Sequence, residues 1–336
     1  GPARGWRWLS APPGGAGPPA LRPGPPWVAR FAGEDPRRRY EALARAAGMT
    51  LTTPEAIATG EIETFECLAL EALEEEGGRV RGRPLLALLK GDVDRLGQIF
   101  ARGLGRFDLA RRMALSRLMD LYFTLRLPHL LERHAPQSYT LYAGGDDFVL
   151  ILPWRQGLAF ARHLREDFAA FTGDNPDVTF SLGIALFPPH LPVSIAAAEA
   201  EARLERAKDD GRNRVSAVEP RSMTWEDFAA ALEAAERFNA WLRDGTLATG
   251  ALHRLLALEE ARRRVAAGQG RGPDFGWRGK LAYHVARQRT AAGRPLPGEV
   301  AEAIRDLFGL GPDWRVNGPP RPGARLALTH ALYRNR

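Results

Sequence analysis

Hydrophobic and polar positions fall into three regimes along the chain. Residues 1–36 carry no periodic apolar pattern and are dense in Pro and Gly, as in Ala11-Pro12-Pro13-Gly14-Gly15 and Pro23-Gly24-Pro25-Pro26. Missing N–H groups and loose glycine torsions disfavour helix and central strand there, so a linker is expected. Helical character follows over 35–47, and residues 64–74 repeat apolar side chains at helical spacing up to the breakers Gly77-Gly78.

The second regime opens with Pro84-Leu85-Leu86-Ala87-Leu88-Leu89-Lys90-Gly91-Asp92, an apolar run too short for a typical helix that ends in acid; it reads as a buried strand. A helix over 110–127 follows, then two short strands, 138–143 and 148–152, joined by Gly144-Gly145-Asp146-Asp147, whose glycines supply the positive φ angles of a tight hairpin. Next come a helix over 156–171, a strand over 178–185, a helix over 195–209 and an edge strand over 214–218. This order predicts an α+β, ferredoxin-like split βαβ domain with additions. From Met223 the strand signals stop. Ala/Leu/Arg/Glu helical segments continue with breaks at 268–276 and 296–298, which predicts an all-helical domain. The expected division is a linker and irregular segment over 1–60, a palm-like domain over 61–220 and a helical domain over 221–336, with no internal repeat.

Composition narrows the partners. The net charge of +7 is almost all Arg, since Lys occurs only at 90, 208 and 280, and guanidinium suits phosphate and carboxylate. A compositional bias toward Ala, Arg, Gly and Pro would give the same excess. One cysteine, Cys67, excludes an internal disulfide framework or a thiolate zinc cluster and fits a reducing compartment, so a cytoplasmic location is expected. No apolar run approaches the roughly 20 residues of a membrane span.

The acidic residues carry the chemistry. Phosphoryl or nucleotidyl transfer needs divalent ions about 3.5–4 Å apart, held by converging carboxylates. Asp92 and Asp94 leave the first strand with Val93 between them, whose carbonyl is a further oxygen donor; Asp146 and Asp147 sit in the hairpin. In a split βαβ sheet these segments are neighbours. Either pair alone is an ordinary helix cap or turn, but their joint placement points to a two-metal site with Asp146 and Asp147 at its catalytic centre. Oxygen ligands favour Mg²⁺ or Mn²⁺. Gly144 and Gly145 allow close approach of a triphosphate. Lys208 and Arg212, four residues apart near a helix end, could reach its tail, although basic residues are favoured there by the helix dipole as well. The histidines show no metal spacing, and no Walker-type loop is present. The segment 275–280 with Tyr283 and Arg287 could contact RNA through stacking or form a helix-helix packing site with a basic rim.

Leu89-Lys90-Gly91-Asp92-Val93-Asp94-Arg95-Leu96-Gly97-Gln98-Ile99-Phe100, Tyr142-Ala143-Gly144-Gly145-Asp146-Asp147-Phe148, Ser181-Leu182-Gly183-Ile184-Ala185 and residues 207–213 resemble the second palm domain of the polymerase-cyclase large subunit of type III CRISPR effector complexes, most closely the Csm type. The resemblance covers most of residues 60–336, including a C-terminal helical domain. It implies conversion of ATP to cyclic oligoadenylates when the complex binds target RNA, the 3′-hydroxyl of one ATP attacking the α-phosphate of another. It also implies Asp92 and Asp146 as principal metal ligands, Asp94 and Asp147 as supporting acids, Gly144 and Gly145 at the phosphates, and Lys208 with Arg212 as the triphosphate clamp. The implied partners are the other effector subunits, crRNA and target RNA, and a second palm domain or protomer that completes a two-ATP site. Such subunits carry an N-terminal His-Asp nuclease domain and a first palm; here there is no His-Asp dipeptide and one Gly-Gly-Asp-Asp hairpin, so a fragment or a short relative is expected.

Two other readings stand beside this one. A GGDEF-type cyclase shares the palm, but it reads guanine with an Asn eight positions after the first metal-binding Asp, where this chain has Phe100, and its hairpin has Glu where this one has Asp. A scaffold that holds RNA and sister subunits on a catalytically weak palm would retain RNA binding without the four acids. Clustered carboxylates repel one another unless metals bind, which argues against a decayed site.

Overall fold

The computed structural model describes residues 27–103, 109–318 and 321–336; of the linker expected over 1–36, residues 1–26 lie outside them. The described part of the first 60 residues packs on the domain that follows. Helix α1 (Pro36–Ala46) is capped by Asp35, and its Tyr40 and Ala44 join Phe31, Ile57, Cys67 and Leu70 in a small apolar cluster.

Residues 64–74 do not form one helix. Helix α2 (Phe65–Leu70) is capped by Thr64 and stops early; β1 (Glu74–Glu76) and β2 (Arg79–Arg81) then form a hairpin. Gly77 and Gly78 both adopt positive φ, 58° and 74°, which is what a two-residue primed turn demands. Opposed Glu74–Arg81 and Glu76–Arg79 positions add favourable cross-strand charge.

The central element is β3 (Leu86–Val93), buried on both faces, which explains its unbroken apolar run. The chain continues through a short helical turn α3 (Leu96–Gln98), α4 (Leu109–Leu121), α5 (Leu127–His134), β4 (Tyr139–Gly144), β5 (Asp147–Pro153), α6 (Trp154–Phe171), β6 (Phe180–Phe187), α7 (Val193–Asp209), β7 (Arg214–Ser216) and β8 (Met223–Thr224). The helix expected over 110–127 is broken by a π-helical turn at Tyr122–Arg126. Pro128 lies at the start of α5, where its missing N–H costs least.

The sheet runs β4-β5-β3-β6-β7-β8. Each of its first four strands is antiparallel to its neighbour, in the ferredoxin-like order expected from the sequence. Strand β7, expected at the edge, is interior: it pairs parallel with β6, and β8 pairs outside it. The sheet therefore continues past residue 220, the expected end of the domain.

Two layers cover the sheet. On one face Ala87, Leu89 and Val93 of β3 pack with Phe123, Leu131, Phe148, Leu158 and Phe168; on the other, Leu86 and Leu88 meet Ala185, Phe187, Ala196 and Ala200. Gly183 on β6 fixes how α7 lies on that second face. A Cβ there would sit 2.1 Å from the Ala200 carbonyl oxygen and 2.5 Å from the Leu204 nitrogen, so only Gly lets the helix come so near.

Among the described residues five α-helices follow: α8 (Trp225–Arg243), α9 (Thr249–Ala266), α10 (Trp277–Arg287), α11 (Gly298–Leu307) and α12 (Ala324–Arg334). They enclose a core of their own, including Phe238, Leu252, Leu281, Ile304 and Leu328. They are also joined to the sheet domain, because Trp225, Phe228, Ala231 and Leu326 belong to its core. Glu219 accepts the Leu326 N–H at 3.0 Å in the first turn of α12. No helix among the described residues is long and apolar enough to cross a membrane.

Candidate active site

The acidic end of β3 meets the β4–β5 hairpin directly. Asp92 and Asp147 are register partners, and the Val93 N–H donates to the Asp146 carbonyl at 2.9 Å. The turn itself is Gly145-Asp146, with Gly145 at φ 64°. Gly144, expected to share the positive φ, is an ordinary strand residue paired with Asp147. Both glycines leave open space: a Cβ at Gly145 would meet nothing within 4 Å, and one at Gly144 only the Tyr142 hydroxyl at 3.8 Å. Upstream, Gly91 is required by packing, because the ring of its register partner Phe148 lies over it, 2.2 Å from where a Cβ would be.

Lys208 comes to this site because α7 lies tight on β6. Its Nζ sits 3.2 Å from Asp92 Oδ2 and 3.1 Å from Glu205 Oε1. One turn of strand away, Lys90 pairs with Glu201 on the same helix. Burial opposes the charge of Lys208, but its hydrogen bonds to Glu205 and Asp92 outweigh that and raise its pKa. Burial raises the pKa of Asp92, with Asp146 and Asp147 adding to it and Lys208 opposing. Asp147 is also raised, by burial first and then by Asp146, against Tyr142 and Lys90. Tyr142 is shifted up chiefly by the charge of Asp147. Like charges pressed together with one ammonium between them and a neighbouring acid form a site that favours added positive charge.

Asp94 behaves differently from its neighbours. Expected beside Asp92 as a metal-binding acid, it is turned into the fold and is 3% exposed, whereas the Asp92 side chain is 29% exposed. Its carboxylate accepts Thr179 Oγ1 at 2.8 Å, Ser181 Oγ at 2.7 Å and the Asn213 backbone N–H at 2.9 Å. Asp94 thereby ties β3 to β6 and to the chain just after α7, where Arg212 and Asn213 both adopt left-handed backbone, φ 66° and 49°. Arg212 Nη1 lies 3.4 Å from the Lys208 carbonyl, so its guanidinium folds back on the helix end. Among the described residues no three His, Cys, Asp or Glu side chains are arranged to hold a metal ion, and the inward turn of Asp94 accounts for part of this. The acids whose charges act on one another here, Asp92, Asp146 and Asp147, offer only oxygen, which fits a hard divalent cation such as Mg²⁺ or Mn²⁺.

Sequence reading missed Thr179, Ser181, Asn213, Glu201 and Glu205. The first two had a visible signal, since two polar residues two apart in an otherwise apolar strand need buried partners. The others become apparent only once α7 is placed over the sheet.

A ferredoxin-like sheet with acids at the exit of its central strand and in the adjoining hairpin, overlooked by a lysine, has the architecture of a palm domain. Residues 85–216 match the family described as Cas10/Cmr2, second palm domain. Among curated proteins, the chain is similar to the CRISPR system single-strand-specific deoxyribonuclease Cas10/Csm1 (subtype III-A) of Methanocaldococcus jannaschii, 36% identical over 157 residues, 43% of this chain and 19% of that protein. The counterpart in Thermococcus onnurineus is 32% identical over 176 residues, 47% of this chain and 21% of that protein. The chain thus matches about a fifth of the length of these relatives. In fold it resembles the Csm1-Csm4 cassette in complex with cA4, with TM-score 0.62 and 24% identity, covering 82% of this chain and 39% of that one. The cassette in complex with one ATP gives TM-score 0.60 and 24% identity, covering 83% and 39%. The chain is thus similar to Csm-type Cas10 large subunits over a palm-and-helical portion, the family that its residues resemble.

Proposed function

We propose that this palm joins ATP into cyclic oligoadenylates as part of a target-RNA-activated type III CRISPR effector complex. The observation that carries the reading is the register pairing of Asp92 with Asp147 beneath Lys208, which gathers acids and an ammonium on one accessible end of the sheet. Asp92, Asp146 and Asp147, with the Val93 carbonyl, would hold the divalent ions, which when bound neutralise phosphate charge and make the attacking hydroxyl more acidic. Gly144 and Gly145 leave the backbone open to the phosphates. Lys208 has two carboxylate contacts to exchange for phosphate oxygens, and Arg212 lies one turn beyond it. Asp94 acts through others, holding the chain after α7 so that Lys208 and Arg212 stay over the site. Positioning and fixed electrostatics would supply most of the rate. That the relatives are solved as Csm1-Csm4 cassettes with ATP, AMPPNP, cA3 and cA4 supports both the nucleotide and the need for partner subunits.

The test is binding before turnover. Mn²⁺ affinity measured by electron paramagnetic resonance, with and without ATP, should fall at least tenfold in Asp92→Asn and in Asp147→Asn and should be strengthened by ATP in the parent. Unchanged Mn²⁺ affinity in both variants would remove the site from consideration.

A further inference from the structure

The segment around α10 reads in the sequence either as helix packing or as an RNA contact, and the structure divides it. Trp277, Leu281 and Val285 form the buried stripe of the helix. On the opposite side Gly279, Tyr283 and Arg287 fall at intervals of four residues and make one ridge, and Phe275 lies in the 3₁₀ turn Gly272–Gly276 that runs directly into the helix. Phe275 is 64% exposed and Tyr283 57%. Between them Gly279 is a notch, since a Cβ there would meet nothing within 4 Å. The Arg287 guanidinium lies 5.5 Å from the Tyr283 ring centroid, on the side of Tyr283 farther along the helix. Lys280 donates to the Pro273 carbonyl at 2.8 Å, which fixes the turn carrying Phe275 against the helix.

Charge sets the kind of partner. From residue 275 to residue 298 there is no Asp or Glu, while Arg278, Lys280, Arg287, Arg289 and Arg294 all lie in this stretch. Asp274, the nearest acid in sequence, is neutralised by Arg264 at 2.7 Å. Two exposed rings on one helix and the turn that enters it, with open space at Gly279 between them and basic side chains in the segment that carries them, match a flexible polyanion that carries its own flat aromatic groups.

We infer that this ridge docks single-stranded nucleic acid, with bases stacked on Phe275 and Tyr283, another lodged over Gly279, and phosphates drawn to Lys280 and Arg287. The inference goes beyond the palm chemistry and does not depend on turnover. The test is fluorescence anisotropy of the full chain with a labelled, mixed-sequence single-stranded RNA of about a dozen nucleotides over a range of salt. Phe275→Ala with Tyr283→Ala should weaken binding about tenfold or more. Gly279→Gln should also weaken it while raising the stability of α10, so that unfolding is not the cause. Lys280→Gln with Arg287→Gln should lower the slope of log affinity against log salt by about 1.4. Unchanged RNA affinity in all three overturns the proposal. RNA affinity unchanged while association with effector subunits is lost would overturn it in favour of a protein contact.

Discussion

Replacing Asp94 with Ala separates a structural acid from the acids proposed as ligands, because the two roles have unequal consequences for stability. The substitution leaves three donors without their acceptor in a site that is 3% exposed: the Thr179 and Ser181 hydroxyls and the Asn213 N–H. Each hydrogen bond to a charged acceptor contributes about 1.5–3 kcal/mol. The two hydroxyls can rotate toward other acceptors but the Asn213 N–H cannot, so the expected loss is about 4 kcal/mol rather than the full sum. In a domain of this size that lowers the melting temperature by roughly 10 °C. Asp94→Asn retains one acceptor oxygen and sets an amide N–H against donors, so it should lose about half as much. Asp146→Ala and Asp147→Ala relieve repulsion among acids and should stay within about 0.5 kcal/mol of the parent. Thermal unfolding followed by circular dichroism in the presence of a chelator keeps metal binding out of the comparison. An Asp94→Ala protein that melts within a degree or two of the parent would refute the reasoning, as would an Asp147→Ala protein that loses as much as Asp94→Ala.

Other consequences are sharper in binding than in folding. Lys208→Ala should weaken ATP at least tenfold and AMP by less than twofold in equilibrium binding with Mg²⁺, given the role proposed for its ammonium at the phosphate tail; equal losses would contradict that role. Gly183→Ala drives a methyl group into the Ala200 carbonyl and the Leu204 nitrogen. Urea denaturation should show a loss of at least about 2 kcal/mol, with ATP affinity falling as α7 is pushed off the sheet. His330, 4% exposed and packed against Trp154, has its pKa lowered by burial to about 4, against about 6.5 when unfolded. The unfolded chain therefore binds a proton that the folded chain refuses. Stability from this group is complete above pH 6.5 and falls by about 3 kcal/mol as pH drops to about 4, a slope that His330→Leu should flatten in denaturation measured across that range.

The sequence was most legible where one physical rule acts alone. The unbroken apolar run ending at Asp92 marks a strand buried on both faces, and the double glycine before Asp146 marks a hairpin, so the meeting of that strand's acidic end with the hairpin could be anticipated, though not that Asp147 would be the register partner of Asp92. Legibility failed where a residue's role depends on what packs across from it. Asp92 and Asp94 stand two residues apart at the end of one strand, and the hydroxyls of Thr179 and Ser181 with the Asn213 N–H draw one inward while the other faces Lys208. The Glu-rich end of the segment expected as a helix over 64–74 became a hairpin because Arg79 and Arg81 stand across from its acids once Gly77-Gly78 turns the chain. Strand β8 is two residues long, too short for any pattern, and its pairing with β7 is what carries the sheet past residue 220.

Product synthesis tests the central claim most directly. The chain, assembled with its effector subunits and target RNA, is incubated with ATP or GTP and Mn²⁺ beside an Asp146→Ala, Asp147→Ala control, and products are resolved by mass spectrometry. The account predicts cyclic oligoadenylates that disappear in the control and require ATP. A cyclic guanine dinucleotide, or no product from the complete assembly, would contradict it.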